Sequence, residues 1–111
     1  MIVDNSEFTN LTKAQVEGLR ESFDFLRNGY QPVMDWQAKQ IWVIRLRHQS
    51  NHHYISIWLK ANSYAIFKDR KLAKMAHFRY SPERYRLLVG SDMSLKVIPS
   101  EGSASADLVS G

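Results

Sequence analysis

Two stretches separated by the tripeptide Gln49-Ser50-Asn51 alternate between apolar and polar side chains, and this alternation is the feature that most limits how the chain can fold. Successive side chains of an extended strand point to opposite faces, so each stretch would present one apolar face. The tripeptide between them has the composition of a turn. The pattern predicts an antiparallel hairpin with strands at about 40–48 and 52–60 and one buried side. The side chains predicted to face the core are Trp42, Ile44, Leu46, His53, Ile55, Ile57 and Leu59.

Residues 12–28 predict an amphipathic helix. Thr12 is placed to be the N-cap, with Gln15 as its capping-box partner. Asn28-Gly29 would end the helix, since glycine adopts the left-handed conformation after a helix without a Cβ clash. A loop is expected from there to the first strand. The apolar residues that recur at helical spacing are Val16, Leu19, Phe23 and Leu26. The opposite face is mostly acidic, with Lys13, Glu17, Glu21, Asp24 and Arg27.

The second half of the chain predicts three more strands and one ambiguous segment. Residues 63–68 form a strand after the turn at Ala61-Asn62, and residues 84–89 and 93–98 form a last hairpin. Within residues 69–80, the spacing of two apolar residues fits a short second helix at 70–77, and an ordered loop fits the same residues equally well.

These elements predict an α+β fold in which an N-terminal amphipathic helix packs on an antiparallel sheet of about five strands. A length of 111 residues is that of one domain. We expect a single domain over residues 1–99. The small and polar residues 100–111 cannot bury enough apolar area to offset their chain entropy, so we expect a flexible, disordered tail.

The composition indicates a cytoplasmic protein. There is no cysteine, and small secreted domains usually need disulfides. The N-terminus has no basic region followed by a long apolar stretch, so no signal peptide is expected. No apolar run approaches the roughly 18 residues that span a bilayer. Membrane partners, thiolate zinc sites and cysteine nucleophiles are therefore not expected.

Charge is strongly segregated along the chain. Residues 1–35 carry six acidic and three basic residues, whereas residues 36–100 carry three acidic and twelve basic ones. The net charge is −3 for the first segment, +9 for the second and −2 for the tail, which together give the total of +4. Charges separated in this way create a field over one part of the surface. This predicts an anionic partner.

The polar side of the predicted sheet is the first candidate interface. Basic and aromatic side chains interleaved on an open sheet are suited to single-stranded nucleic acid. In the alternative, Trp58 and Tyr54 pack under residues 69–80, and the arginines are solvated charges at the edge. The residues predicted for this surface are Arg45, Arg47, Tyr54, Trp58, Lys60 and Lys68.

A run of basic residues is the second candidate. If residues 69–77 are helical, Arg70, Lys71 and Lys74 lie together on an outer face opposite Leu72 and Met75. Such a patch would attract phosphates or an acidic protein surface, or it could serve only to keep the protein soluble. The whole run comprises Lys68, Arg70, Lys71, Lys74, Arg79, Arg84 and Arg86.

The sequence does not favour metal binding or a cofactor. His48, His52 and His53 flank one turn, but no cysteine or suitably spaced acid completes a ligand set. No glycine-rich phosphate loop, nucleophile elbow or HExxH motif is present. We therefore expect no metal and no cofactor.

Catalysis is a weaker hypothesis. A small ribonuclease-type toxin needs an acid, a base and a cation near the phosphate. One local set of residues has these chemistries, but nothing in the sequence fixes its geometry. The set comprises His77, Tyr80, Glu83, Arg84 and Tyr85.

The sequence thus predicts a small non-catalytic module that binds an anionic partner, namely nucleic acid or a protein that handles nucleic acid. Its size and segregated charge are compatible with accessory proteins of phages and mobile elements. A protein-interaction or inhibitor module without nucleic-acid affinity is the main alternative, and the toxin is the third. A homodimer paired through a sheet edge is a further option.

Overall fold

The computed structural model describes residues 7–100. It contains one helix and eight strands in two antiparallel sheets, which confirms the α+β class and corrects the expected count of about five strands. The elements are β1 Glu7–Leu11, α1 Lys13–Arg27, β2 Tyr30–Gln37, β3 Trp42–His48, β4 Tyr54–Leu59, β5 Ser63–Lys68, β6 Lys71–His77, β7 Tyr85–Val89 and β8 Leu95–Pro99. Apart from Ser100, the predicted tail lies outside the described residues.

Helix α1 begins and ends where the sequence predicts. The side chain of Thr12 accepts a hydrogen bond from the backbone N–H of Gln15, and the Gln15 side chain accepts one from the N–H of Thr12. Gly29 has a φ of +96° just beyond the helix, a conformation that suits glycine. The four predicted apolar residues are all buried. The local signals at both ends are therefore sufficient to place this helix.

The larger sheet has the strand order β2-β3-β4-β5-β6. The predicted hairpin is present as β3 and β4, with Ile44 opposite Ile57 and Leu46 opposite Ile55. Strand β5 has the predicted bounds. The side chains predicted to face the core are buried on β3 and β4, but His53 precedes β4 and is exposed. The sheet packs its apolar face against α1 and leaves the other face toward solvent.

One segment that was predicted as a loop, and another for which the sequence predicted no element, are strands. The expected loop after Gly29 is β2, which pairs with β3 through a bulge between Pro32 and Met34. Residues before the helix form β1, which pairs with β7. Strand β2 lies at the edge of its sheet, where proline is tolerated because its missing N–H removes no ladder bond.

Neither the short helix at 70–77 nor the ordered loop is present, because this segment is strand β6. Asp69 and Arg70 both have positive φ values, of +49° and +74°. Such a pair forms the two-residue turn whose twist matches a hairpin, and Lys68 lies directly opposite Lys71. The apolar spacing that suggested a helix also fits a strand, because a bulge shifts the register after Ile66.

The smaller sheet has the order β1-β7-β8, and its last two strands confirm the predicted C-terminal hairpin. Leu87 and Val89 of β7 belong to the same buried cluster as α1 and the large sheet. Phe8 of β1 contacts Phe23 and Trp42, with ring centroids 6.4 Å and 5.7 Å apart. One core therefore joins both sheets and the helix. Within the described part of the chain, no helix is long and apolar enough to cross a membrane.

A candidate basic and aromatic interface on the five-stranded sheet

The face of the large sheet that turns away from α1 carries three rows of side chains, which we call the outer face. Residues directly opposite each other in an antiparallel ladder lie on the same face. The first row crosses all five strands and comprises Trp36, Val43, Trp58, Ala65 and Met75. The second comprises Met34, Arg45, Ser56, Phe67 and Leu72. The third comprises Gln31, Arg47 and Tyr54.

The two tryptophans of the hairpin, Trp42 and Trp58, lie on opposite faces of the sheet. Trp42 faces the core and is 8% exposed, whereas Trp58 on the outer face is 37% exposed. The alternative in which Trp58 packs under residues 69–80 is wrong, because β6 extends the sheet and does not cover it. Trp58 instead contacts Phe67 of β5 in an edge-to-face arrangement, with the centroids 6.5 Å apart. The indole is thus supported from one side and open to solvent.

Arg45 and Arg47 extend from β3 beside Trp58, as the alternation predicts. Both are exposed, and no carboxylate among residues 7–100 forms an ion pair with either guanidinium. Uncompensated guanidinium groups can bind phosphate through two parallel hydrogen bonds. Their positive charge is therefore available to a ligand.

A third arginine reaches the same face from the turn between β5 and β6. The Nε of Arg70 donates a hydrogen bond of 2.9 Å to the hydroxyl of Tyr54. Arg70 is a non-glycine residue with positive φ, which costs conformational energy and is tolerated where the surroundings hold it in place. Together these side chains surround an open groove of about 510 Å³, lined by Val33, Arg45, Arg47, Tyr54, Ser56, Trp58, Phe67 and Arg70.

The carboxylate of Asp69 holds this turn. One oxygen accepts a hydrogen bond from the backbone N–H of Tyr54 at 3.0 Å, and the other lies 2.5 Å from Nδ1 of His53. The backbone hydrogen bond from Tyr54, with help from His53, lowers the pKa of Asp69 below its usual value. The charged carboxylate therefore stabilises the turn that places Arg70 over the groove.

Three lysines predicted for the interface lie on the other side of the sheet. Lys68 is opposite Ile55, so it belongs to the helix side, and Lys71 and Lys74 follow it across the β5–β6 ladder. Lys71 and Lys74 therefore lie together on the face opposite Leu72 and Met75, as expected, but Arg70 is separated from them and reaches the groove. In a strand with a bulge, Leu72 and Met75 reach the outer face while these lysines do not.

Lys74 is neutralised by the acidic helix. Its ammonium group forms an ion pair with Glu21, and the same carboxylate accepts a hydrogen bond of 3.1 Å from Tyr64. The contact with Glu21 raises the pKa of Lys74. Burial, followed by the hydrogen bond to Glu21, raises the pKa of Tyr64. The ion pair between Lys74 and Glu21 thus connects helix α1 to strand β6.

The other four cations predicted for the interface lie outside the groove. Lys60 is in the turn between β4 and β5, at the end of β4 far from Tyr54. Arg79 follows β6 and is exposed. Arg84 donates hydrogen bonds to the carbonyls of Ser81 and Glu83, and Arg86 of the small sheet forms an ion pair of 3.2 Å with Glu7. The structure does not bring these four to the groove.

Sequence reasoning missed six large apolar residues that complete the outer face. Three come from β2, which was taken for a loop, and two from β6, which was taken for a helix or loop. The sixth lies on the predicted strand β5, where its alternation with Ile66 could have revealed it. The missed residues are Val33, Met34, Trp36, Phe67, Leu72 and Met75.

Two of the histidines and two residues of the proposed catalytic set form described side-chain hydrogen bonds. Nδ1 of His48 accepts a hydrogen bond from the N–H of Ser50, and His53 pairs with Asp69. No group of three or more metal-ligating side chains was found in residues 7–100. Glu83 contacts Ser81, and none of the hydrogen bonds described for this part of the chain joins it to His77.

Comparisons of the chain with protein-family models, with curated proteins and with solved structures each found no match.

Proposed function

We propose that this chain is a non-catalytic module that binds single-stranded nucleic acid across the outer face of its large sheet. The observation that carries the proposal is the exposure of Trp58 on the same face as Arg45 and Arg47. Aromatic rings bind bases by stacking, and unpaired guanidinium groups bind the phosphates between them. A face that offers both, with no described element over it, suits this ligand.

The electrostatics of the groove favour a nucleic acid over a neutral ligand. Arg45 and Arg47 are neighbours on one side of β3, so their like charges repel each other unless an anion lies between them. Arg70 adds a third positive charge at the same groove. A phosphate chain lying along these groups would release counterions, which makes the affinity depend on salt.

The test is the affinity for a fluorescein-labelled oligothymidylate, measured by anisotropy at 50 and 200 mM salt. Arg45→Gln/Arg47→Gln is expected to weaken binding by at least ten-fold, because each charged hydrogen bond contributes about 1.5–3 kcal/mol. The matched control is Arg86→Gln/Lys96→Gln, which removes two charges from the small sheet and should leave the affinity nearly unchanged. Equal losses in the two double variants, or no binding at 50 mM salt, would contradict the proposal.

Contact with a protein is the second candidate, favoured by one specific observation. Leu72 and Met75 are each 53% exposed on β6, which is an edge strand of the large sheet. Exposed apolar side chains on an edge strand are a template for pairing with another chain. If two copies pair here, sedimentation equilibrium will show a dimer that Met75→Glu abolishes and that Arg45→Gln/Arg47→Gln leaves intact. A monomer at all concentrations excludes self-association through this edge.

A further inference from the structure

The open groove on the outer face has a cationic end and an aromatic end. The side chains of β4 that line it are Tyr54, Ser56 and Trp58, in that order along the strand. Trp58 contacts Phe67 at one end, whereas Arg70 donates a hydrogen bond to the Tyr54 hydroxyl at the other. Ser56 has the smallest side chain of the three and lies between them. Four residues of extended strand separate the two ends by about 13 Å.

Two guanidinium groups meet at the cationic end. Arg47 is directly opposite Tyr54 in the β3–β4 ladder, with the Cα atoms about 5 Å apart. Arg70 approaches Tyr54 from the β5 side, and its described hydrogen bond uses only Nε. In the described part of the chain, no carboxylate forms an ion pair with either arginine. The nearby carboxylate of Asp69 is bound instead by the N–H of Tyr54 and by His53.

This concentration of donors suits a terminal phosphate better than a phosphate inside a strand. A terminal phosphate monoester offers three acceptor oxygens and carries a charge of about −1.5 to −2 at neutral pH, whereas each phosphate inside a strand carries a single charge. Guanidinium groups bind such oxygens through paired hydrogen bonds. Arg70 also crosses the groove at Tyr54, so a strand that continued past this end would have to pass over a guanidinium group that is already held.

The aromatic end suits the first base of the same strand. Trp58 is 37% exposed, and Phe67 supports its ring from one side, so the indole offers a stacking surface to a base. Arg45 is opposite Ser56 in the ladder, midway between the two ends. It can therefore bind the phosphate that joins the first nucleotide to the second. The groove volume of about 510 Å³ is that of a site for one small ligand, not for a long stretch of strand.

We infer that the groove binds the phosphorylated end of a single-stranded nucleic acid, with the terminal phosphate between Arg47 and Arg70 and the first base stacked on Trp58. This inference rests on the proposed function and adds the part of the strand that is recognised. Tyr54 is a positioning residue, because its hydroxyl holds Arg70 at the groove. A 5′ phosphate and a 3′ phosphate present the same chemistry, so both are compared.

The experiment measures the affinity of the full chain for three internally labelled dT10 strands by anisotropy at 50 mM salt. One strand has a 5′ phosphate, one has a 3′ phosphate and one has hydroxyl groups at both ends. At least one phosphorylated strand is expected to bind about ten-fold or more tightly than the hydroxyl strand, because it adds charged hydrogen bonds. Thymidine monophosphate should compete about ten-fold or more weakly than that strand, since it lacks the phosphate that Arg45 would bind.

Variants locate the terminal phosphate in the groove. Arg70→Gln should bring the ratio of the two affinities close to one, whereas Arg79→Gln removes an exposed cation outside the groove and should leave the ratio unchanged. Tyr54→Phe should lower the ratio in part, and Tyr80→Phe, at a side chain that is 70% exposed, is its matched control. Because the ratio compares two ligands on one variant, a loss of folded protein lowers both affinities and leaves the ratio as it was.

The outcomes separate this inference from the proposed function. If all three strands bind equally and Arg45→Gln/Arg47→Gln still weakens them, recognition of the end is excluded and the proposed function remains. If no oligonucleotide binds at 50 mM salt, both are excluded. A ratio that persists in Arg70→Gln would show that the terminal phosphate lies elsewhere, and equal competition by thymidine monophosphate would show that the ligand is a free nucleotide; either result overturns the inference.

Discussion

Gly18 shows at the scale of one residue how closely α1 lies on the large sheet. A Cβ atom added at Gly18 would lie 2.1 Å from Cδ2 of Leu59 and 3.3 Å from the side chain of Tyr64. Both neighbours are buried, so neither can move away without disturbing the core. Glycine is unfavourable inside a helix by about 1 kcal/mol relative to alanine. Its presence here is therefore explained by the close contact.

Gly18→Ala is expected to destabilise the protein by about 1–3 kcal/mol, because overpacking a filled core costs more than the gain in helix propensity. Urea denaturation followed by circular dichroism measures the change. Arg20→Ala on the exposed side of α1 is the control and should be nearly neutral. Adding Leu59→Val should recover part of the loss, since it shortens the side chain that the new methyl group meets. A stabilised Gly18→Ala variant would show that the helix stands farther from the sheet.

Side-chain orientation was only partly predictable from the sequence. The exposure of Trp58 and the direction of Arg45 follow from simple alternation on β3 and β4, and the structure agrees with both. Lys68 was assigned to the wrong face, although it lies on a correctly predicted strand. Alternation gives the relative orientation of neighbours, and the partner strand decides which face points to solvent: Lys68 lies opposite the buried Ile55 in a regular ladder, on the same face as Ile66. The pairing partner is not visible in the local sequence.

At the scale of the element, the turn at Asp69-Arg70 decides that residues 71–77 form a strand. Type I′ turns are usually marked by Asn-Gly or Asp-Gly, and Asp-Arg does not carry that signal. Thr12 and Gln15 had identified the helix because capping depends on residues three apart. The β5–β6 turn depends instead on Tyr54 and His53, which lie at least fifteen residues away in the chain. This explains why the helix was predictable and the strand was not.

The turn should respond to acid. The pKa of Asp69 is lowered in the folded protein, so its stabilising effect is present above the ordinary value near 3.8 and is lost as the pH falls through the folded value. Asp69→Asn should therefore lower stability at pH 7 and reduce the further loss between pH 5 and pH 2, measured by thermal denaturation. It should also weaken oligonucleotide binding, because Arg70 loses its fixed position.

Asp92→Asn is the matched control for this turn. The pKa of Asp92 is also lowered, by hydrogen bonds from Ser94, but it lies in the turn between β7 and β8, away from the groove. Replacing the Asp92 carboxylate should change how stability depends on acid pH and leave the affinity for the oligonucleotide unchanged. If Asp69→Asn binds as well as the unaltered chain, the turn does not position Arg70 for the ligand.

The contact between α1 and the edge strand β6 should respond to alkali. The pKa values of Lys74 and Tyr64 are both raised, so their stabilising effect is complete at neutral pH and is lost as the pH rises through the folded values, above about 10. Since Lys74 is half exposed, solvent limits the ion pair to about 0.2–1 kcal/mol. Glu21→Gln should cost no more than this at pH 7 and flatten the decline of stability between pH 9 and pH 11. An unchanged alkaline profile in urea denaturation would show that Glu21 does not couple to these groups.

At the scale of the whole molecule, folding divides the positive charge of residues 36–100 among several surfaces. Lys74 pairs with the helix and Arg86 with β1, while three arginines remain at the groove. The sequence shows that the charge is segregated along the chain. It does not show how many of the charges remain unpaired on one face, because that number depends on which acidic residues the fold brings near.

The salt dependence of binding counts the charges that the ligand meets. For a single strand, the slope of log K against log salt is about −0.7 for each phosphate neutralised, so three arginines predict a slope of about −2. If the net charge of the whole second half acted on the ligand, the slope would be about −6. Arg47→Gln should reduce the slope by about 0.7, and Arg86→Gln should leave it unchanged, because Arg86 lies on the other sheet beside Glu7. Titrations at five salt concentrations with dT10 measure all three slopes. A slope near −6, or an equal change in both variants, would mean that the ligand responds to the overall charge and not to the arginines beside Trp58.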